Sequence, residues 1–187
     1  MWVKHLSALP RKLFRTLLIN VQRTSLYRVA SVHKRRGVEI LEACDLDLDK
    51  VRRTFDLEVE PSPPDDHDTV NYVAKKEEDI VGFAQLVKHS DGETLDNGYY
   101  LFSLNVRLLY RGLGIGQDLT KEVMARAKAE GAPELSVITN EDNRTALGLF
   151  HKLGFYVRRI QAFDEKGEKK TPLQRRKKAI LAKTLGD

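Results

Sequence analysis

The sequence predicts an α/β protein of the α+β kind, with a mixed, mainly antiparallel central sheet and helices on both of its faces. Three successive β-like segments, 70–77, 79–90 and 99–106, have no helix between them. That order argues against a doubly wound parallel sheet. A strand–helix–strand unit follows over 99–139, which argues against an all-antiparallel sheet. The two observations together favour a mixed sheet.

Periodicity and turn residues place the individual elements along the chain. Seven segments have the β-branched and aromatic content of strands: 37–43, 70–77, 79–90, 99–106, 135–139, 155–163 and 177–185. Three segments have apolar residues at helical spacing: 46–57, 116–131 and 143–154. Gly131 is a candidate C-cap of the second helix, and Asn143 is a candidate N-cap of the third.

Residues 1–34 are predicted to form a basic amphipathic extension that is largely helical and precedes a domain of residues 35–187. Leu6 and Leu13 belong to a set of apolar residues at helical spacing among Lys and Arg, and Pro10 is expected to kink the helix. We prefer packing of this helix on the domain or on a partner. Contact with a membrane surface is an alternative, and a transit peptide, Arg-rich and poor in acidic residues, is another.

Length and composition limit the class of protein. The 187 residues suffice for one domain with a full core, and no apolar run approaches the roughly 20 residues that span a bilayer. The one cysteine, Cys44, excludes an intrachain disulfide and a Cys-rich zinc site. It suits a reducing compartment, here the cytoplasm, and is expected to be a small buried hydrophobe. The basic tracts lack a nucleic-acid-binding signature, so no nucleic-acid partner is expected.

The sequence YRGLGIGQDLT places three glycines between a strand and a helix. Glycines at such a junction let backbone N–H groups approach an anion at the positive end of the helix. A Walker loop would need Gly-Lys-Ser/Thr, but Gln117 and Asp118 follow the last glycine, and a Rossmann loop would need glycine where Gln117 stands. The pattern R-x-x-G-x-G is met by Arg111, Gly114 and Gly116. Taken alone, the segment fits a pyrophosphate site and a plain turn equally well.

Two segments, LNVRLLYRGLGIGQDL and LSVITNEDNRTALGLFHKLGF, together resemble the GNAT superfamily of N-acetyltransferases. The match covers about 99–156: a strand, R-x-x-G-x-G, a helix, a strand, and N-x-x-A-x-x-L-aromatic-x-K-x-G-F. The resemblance implies that 35–187 form a GNAT-like acyl-CoA-binding domain whose parallel strand pair is splayed at the centre of the sheet. It also implies an N-acetyltransferase that moves an acetyl group from acetyl-CoA to a primary amine directly, in a ternary complex and without a metal.

The resemblance also assigns the residues of the donor site. The backbone from Leu104 to Val106 would pair with the pantetheine arm, and the Val106 N–H would polarise the thioester carbonyl. Asn143 would hydrogen-bond the pantetheine as well as capping its helix. The pyrophosphate would lie against the glycine loop and the helix start, formed by Arg111, Gly112, Leu113, Gly114, Ile115, Gly116 and Gln117.

Phe150 departs from the family pattern. The family often has a tyrosine there that protonates the leaving thiolate, whereas Phe150, which we place beside the cofactor, has no proton to give. A thiol pKa of about 8.5 makes CoA a tolerable leaving group without that proton. His151 lies roughly 100° further round the helix and is expected to face away, and Tyr156 is an unsupported substitute. The departure keeps open an alternative: a non-catalytic GNAT-like module that senses CoA or docks a partner or a membrane.

The incoming amine must lose a proton, and the segment 99–106 is where we look for the group that takes it. Ser103 and Asn105 are its small polar side chains, and regular alternation would put both on one face. There they could hold a water that relays the proton, so the candidate catalytic residues are Ser103, Asn105 and Val106. The alternative is that Ser103 and Asn105 are ordinary hydrogen-bonded polar residues.

The acceptor stays open between an amine-bearing small molecule and a protein N-terminus or lysine, and a homodimer is compatible with the sequence. The acidic loop 58–68 could attract a cationic amine or simply be solvated.

Overall fold

In the computed structural model, the described residues are 34–57, 68–90, 95–162 and 177–186. The chain divides into two units, Met1–Gly37 and Val38–Asp187, and the sheet with its helices belongs to the second. The predicted helix of the N-terminal extension lies outside the described residues, and so does the acidic loop except for Asp68. None of the helices within the described ranges is long and apolar enough to cross a membrane.

A seven-stranded mixed sheet organises the second unit. Its strands are β1 (Val38–Glu42), β2 (Thr69–Lys76), β3 (Asp79–His89), β4 (Gly98–Val106), β5 (Glu134–Asn140), β6 (Tyr156–Ala162) and β7 (Lys177–Thr184). Their order across the sheet is β1-β2-β3-β4-β5-β7-β6. Neighbours are antiparallel except for β4 and β5, which are parallel. The predicted fold class is therefore confirmed.

Three helices connect these strands: α1 (Asp45–Phe55), α2 (Ile115–Ala129) and α3 (Arg144–Lys152). A 3-10 turn, Leu108–Tyr110, separates β4 from the glycine loop and has no counterpart in the sequence prediction. The helices cover both faces of the sheet, as predicted. Val51 of α1 packs in one core cluster with Phe83 of β3, while the adjacent Ala84 belongs to the cluster that contains Leu119 of α2.

Gly82 on β3 allows α2 to lie close against the sheet. A Cβ added there would stand 2.9 Å from Leu119 Cδ1 and 3.2 Å from Ile115 Cγ2, both on α2, and 3.1 Å from the Cβ of Ala74. The contact with Leu119 is shorter than real Cβ atoms show and the other two are tight, so a larger residue at position 82 would force the neighbouring side chains to shift. Ile115 is the first residue of α2, so this close approach involves the start of that helix.

Cys44 is exposed, so the expectation of a small buried hydrophobe is wrong. It is the residue that precedes α1, at the surface end of that helix. Its backbone N–H and its thiol each donate to Asp47 Oδ2, at 3.2 Å. Cys44 is exposed because it is the N-cap residue of α1, and the pattern of apolar residues around it gives no sign of this role.

Candidate functional site

The two parallel strands at the centre of the sheet separate after a short stretch. Their register contains three pairs, from Tyr99–Leu135 to Leu101–Val137. Beyond these pairs β4 continues to Val106 and β5 to Asn140. We call the opening between 102–106 and 138–140 the strand gap. As predicted, the parallel pair is splayed at the middle of the sheet.

A β-bulge relative to β3 lies in the part of β4 that borders the gap. Phe102 pairs with Gln85 and Asn105 with Phe83, so β4 has one residue more than β3 over this interval. Ser103 has a φ of +51°, in the left-handed region that non-glycine residues rarely adopt. Because Gln85 and Phe83 are two residues apart and share a face, Phe102 and Asn105 share that face as well.

The bulge breaks the alternation from which Ser103 and Asn105 were expected to share a face. The side chain of Asn105 instead lies on the same face of the sheet as that of Phe102, because the extra residue of the bulge changes which residues alternate. The Asn105 side chain donates from Nδ2 to the Ser103 carbonyl at 3.1 Å. Asn105 therefore supports the bulge, and the proposed water relay through both side chains stays a prediction.

The backbone N–H of Val106 faces the strand gap. The N–H of Arg107, the residue just after β4, donates to the Val81 carbonyl of β3 at 2.9 Å, so Arg107 and Val81 form a hydrogen-bonded pair. In an antiparallel ladder such pairs alternate with pairs whose N–H and C=O point outward. Val106, opposite Gly82, is of the outward kind. Its N–H and C=O are therefore directed away from β3, into the gap.

The carbonyl of Val106 is held by the side chain of Arg111. The Arg111 Nε donates to the Val106 oxygen at 2.9 Å across the 3-10 turn. Arg111 was expected to act on a pyrophosphate, and its contact with the strand was not anticipated. The nearest sequence signal is the short spacing from the strand end to the arginine, which lets the side chain fold back.

The glycine loop leads into the start of α2 without a side-chain cap. Gly112 and Gly114 have φ values of +78° and +85°, and Gly114 is the N-cap of the helix. The Gly114 carbonyl accepts the first hydrogen bond of the helix, from the Asp118 N–H at 3.0 Å. The N–H groups of the three residues between Gly114 and Asp118 have no acceptor within the helix, and they carry the partial positive charge of its N-terminus. This geometry fits an anion such as the predicted pyrophosphate.

Gly116 is where the helix start meets the gap. A Cβ at this position would lie 3.7 Å from Val106 Cγ2 and 3.6 Å from Leu149 Cδ2 of α3. The end of β4, the first turn of α2 and the middle of α3 thus converge on one point. The predicted donor residues of the loop and of β4 are brought together there.

Asn143 caps α3, as its pattern predicted. Its Oδ1 accepts from the Ala146 N–H at 3.2 Å, while its own N–H donates to the Asn140 carbonyl at 3.0 Å. Asn140 is the last residue of β5, so the cap stands at the end of the strand gap. The Nδ2 group remains a donor by type, and its contact with a pantetheine stays a prediction.

The aromatic ring of Phe150 lies in the core. Phe150 is 2% exposed, and its ring centroid is 5.4 Å from that of Phe155. His151 is exposed, and its Nδ1 is 3.1 Å from the Phe155 carbonyl oxygen, in line with the expectation that it faces away. The contact of Phe150 with a cofactor stays a prediction.

Tyr156 lies at the other end of β5 from the gap. Its hydroxyl donates to Glu134 Oε2 at 3.0 Å, and Glu134 is the first residue of that strand. This hydrogen bond is the main cause that raises the pKa of Tyr156 above 10.0. The geometry gives Tyr156 no part in the gap.

A polar pair that the sequence analysis did not single out occupies the Phe102 side of the sheet. Gln85 donates from Nε2 to Oδ1 of Asn71 at 3.0 Å, and Asn71 is buried. Tyr100 is buried nearby on the same strand as Phe102, its hydroxyl donates to the Asp96 carbonyl at 2.9 Å, and burial raises its pKa. Within the described ranges, no group of three or more His, Cys, Asp or Glu side chains could hold a metal ion.

Residues 32–155 match the acetyltransferase (GNAT) family. A human relative, N-acetyltransferase 8B, is 32% identical over 84 residues, which cover 45% of this chain and 37% of that protein. The match thus spans little more than a third of the human relative.

Solved structures share the fold at low sequence identity. The ribosomal-protein-S18-alanine N-acetyltransferase from Escherichia coli has a TM-score of 0.61 and 18% identity, and the likeness covers 80% of this chain and 95% of that one. An acetyltransferase from Bacillus subtilis in complex with CoA has a TM-score of 0.58 and 19% identity, with coverage of 79% and 98%. The family match, which covers about two thirds of the sequence, together with the splayed sheet and the glycine loop, establishes that this chain belongs to the acetyltransferase (GNAT) family.

Proposed function

We propose that the protein is an N-acetyltransferase that moves an acetyl group from acetyl-CoA to a primary amine, in a complex that holds both substrates together. One observation carries the proposal: the Val106 N–H faces the strand gap at the point where Gly116, in the first turn of α2, approaches Val106. That arrangement offers an anion site and a carbonyl-polarising donor next to each other. The B. subtilis neighbour, which is a complex with CoA, supports the choice of donor.

The pyrophosphate of the donor would be held at the start of α2. Here the N–H groups of Ile115, Gly116 and Gln117 converge with the helix dipole, and no lysine or metal ion is required. Gly112 and Gly114 both have a positive φ, which glycine adopts easily and which lets the loop turn. Because glycine has no Cβ, the backbone of the loop can also come close to the ligand.

The acetyl group would then lie in the strand gap beside Val106. Attack by the amine nitrogen makes a C–N bond and places negative charge on the former carbonyl oxygen, which the Val106 N–H stabilises. Collapse breaks the C–S bond and releases the CoA thiolate. The residues of β4, the strand beside the acetyl group, include no Asp or Glu that could accept the proton that the amine loses. We therefore assign this proton to water.

The position of Cys44 favours direct transfer over an acetyl-cysteine intermediate. It is the one thiol of the chain, and it follows β1, which is separated from β4 by two strands. Three strand spacings amount to roughly 14 Å. The thiol therefore lies at the end of a strand three spacings away from the one that carries Val106, which favours direct transfer from a donor bound in the gap.

Acetyl-CoA should stabilise the folded protein. A ligand that binds only the folded state at 100 times its Kd contributes about 2.7 kcal/mol, which for a chain of this size raises Tm by about 5–10 °C. Thermal unfolding with saturating acetyl-CoA measures the shift. An unchanged Tm with acetyl-CoA and with other acyl-CoAs would rule out the proposed donor site.

The variant Gly114→Trp tests where that ligand binds. The indole would cover the helix start, so the Tm shift should disappear while circular dichroism stays that of a folded protein. Gly114→Ala is the matched control, since it has the same strained positive φ but little bulk, and it should retain most of the shift. A full shift in Gly114→Trp would place the ligand elsewhere.

A further inference from the structure

The guanidinium of Arg111 is hydrogen-bonded to the last residue of β4. Its Nε donates to the Val106 carbonyl at 2.9 Å, although the side chain is otherwise exposed. The same peptide unit is bound on its opposite edge, where the Arg107 N–H donates to the Val81 carbonyl at 2.9 Å. Both polar atoms of this peptide are therefore fixed, one by β3 and one by Arg111.

The contact matters because of what Val106 presents to the strand gap. Its N–H and its C=O both point there, one a donor and the other an acceptor with partial negative charge. A bare carbonyl oxygen beside the reacting thioester would repel the negative charge that develops on the acetyl oxygen. A cationic donor that occupies the carbonyl removes this repulsion and adds positive charge nearby.

We propose that Arg111 is a positioning residue for acyl transfer: through the Val106 carbonyl it fixes the end of β4, so that the Val106 N–H is aimed at the thioester. This inference rests on the proposed function and gives Arg111 a role in the chemical step, beyond the binding of phosphate. The Nε–H makes the contact with Val106, and the Nη atoms keep four further N–H donors that can still face an anion.

Lysine cannot replace arginine in this role. The ammonium group of a lysine would give a bound pyrophosphate a positive charge similar to that of arginine. It has no counterpart of the arginine Nε–H, whose direction is fixed by the planar guanidinium. Arg111→Lys and Arg111→Gln should therefore both lower kcat at saturating acetyl-CoA. The expected loss is about 10- to 100-fold, as when a hydrogen bond to a charged group is removed.

Steady-state kinetics with two donors separates the two roles. Acetyl-CoA carries the pyrophosphate, whereas S-acetylpantetheine ends before it. We expect the loss in kcat/KM of Arg111→Gln to persist with S-acetylpantetheine. A loss confined to acetyl-CoA, with a raised KM and an unchanged kcat, would overturn the inference and leave Arg111 as a phosphate ligand only.

Lys121→Gln is the charge-matched control. Lys121 is exposed on α2, and the variant should leave kcat with both donors unchanged. A kcat lowered equally in Lys121→Gln and Arg111→Gln would mean that net charge is responsible, and this too would overturn the inference.

The amide of Arg107 gives a readout that needs no turnover, because it belongs to the same peptide as the Val106 carbonyl. Its ¹⁵N–¹H resonance should shift in Arg111→Gln and stay in place in Lys121→Gln. An unmoved resonance in Arg111→Gln would show that the contact does not form, which contradicts the inference. Lack of turnover by the unaltered protein with every amine would instead contradict the proposed function.

Discussion

The carboxylate of Asp47 ties the first turn of α1 to the sheet. Asp47 is 3% exposed, its Oδ1 lies 2.7 Å from Nζ of Lys75 on β2, and its Oδ2 accepts from the Cys44 N–H. Burial raises the pKa of the carboxyl, but hydrogen bonds from Lys75 and Cys44 outweigh burial, so the pKa lies below 3.8. A group whose pKa falls on folding stabilises the protein in its charged form.

Asp47→Asn should destabilise the protein by about 1–3 kcal/mol at pH 7, since it removes hydrogen bonds of a charged group. The matched control is Asp49→Asn on the same helix, where the carboxylate is exposed and pairs with Arg52. That change should alter the free energy of unfolding by less than about 1 kcal/mol. Urea unfolding of both variants checks the contrast, and equal stability of Asp47→Asn and the unaltered chain would contradict it.

The difference between Asp47→Asn and the unaltered chain should depend on pH. The stabilisation is fully present above the unfolded pKa of Asp, about 3.9, and is lost as the pH falls through the lower pKa of the folded state. At the other end, the hydrogen bond to Asp47 raises the pKa of Lys75 above 10.5. The stability difference should thus be constant near neutral pH and shrink below about pH 4; urea unfolding at pH 3 and 7 measures it. A difference that grows in acid would be contrary to this account.

Among the elements, α2 carries the proposed donor site at its first turn, and this turn packs closely against Gly82 of β3. Gly82→Ala would bring a methyl group against Leu119 and Ile115. We expect a loss of about 1–3 kcal/mol through overpacking. Because Ile115 opens α2, the Tm shift with acetyl-CoA should also be smaller than in the unaltered protein.

Gly148→Ala on α3 is the matched control for Gly82→Ala. A Cβ there would meet nothing within 4 Å, and alanine favours a helix interior by up to about 1 kcal/mol. Its Tm should be equal or higher, with an undiminished shift from acetyl-CoA. Equal melting of Gly82→Ala and Gly148→Ala would show that α2 does not depend on the glycine.

Elements with strong local signals could be predicted from the sequence, and those set by tertiary contacts could not. The glycines before α2 and the cap at Asn143 are local features, and both elements start within one residue of their predicted positions. The bulge at Ser103 has no such signal, since serine rarely adopts a positive φ and alternation assumes a regular strand. The Arg111–Val106 bond requires knowledge of how the 3-10 turn folds back.

At the scale of the whole molecule, direct transfer predicts a kinetic pattern. Both substrates must be bound before reaction, so double-reciprocal plots at several amine concentrations should intersect, and Cys44→Ser should retain full activity. Parallel lines, together with an inactive Cys44→Ser, would indicate an acetyl-enzyme on the one thiol of the chain.

We propose that the strand gap and the start of α2 bind acetyl-CoA for transfer of its acetyl group to an amine. An assay of thiol release from acetyl-CoA, run with a panel of small amines, amino acids and peptides with free N-termini or lysines, is the decisive experiment. We expect amine-dependent release with at least one acceptor, and loss of that release in Gly114→Trp. Tight binding of acetyl-CoA without release across the whole panel would refute the proposed activity.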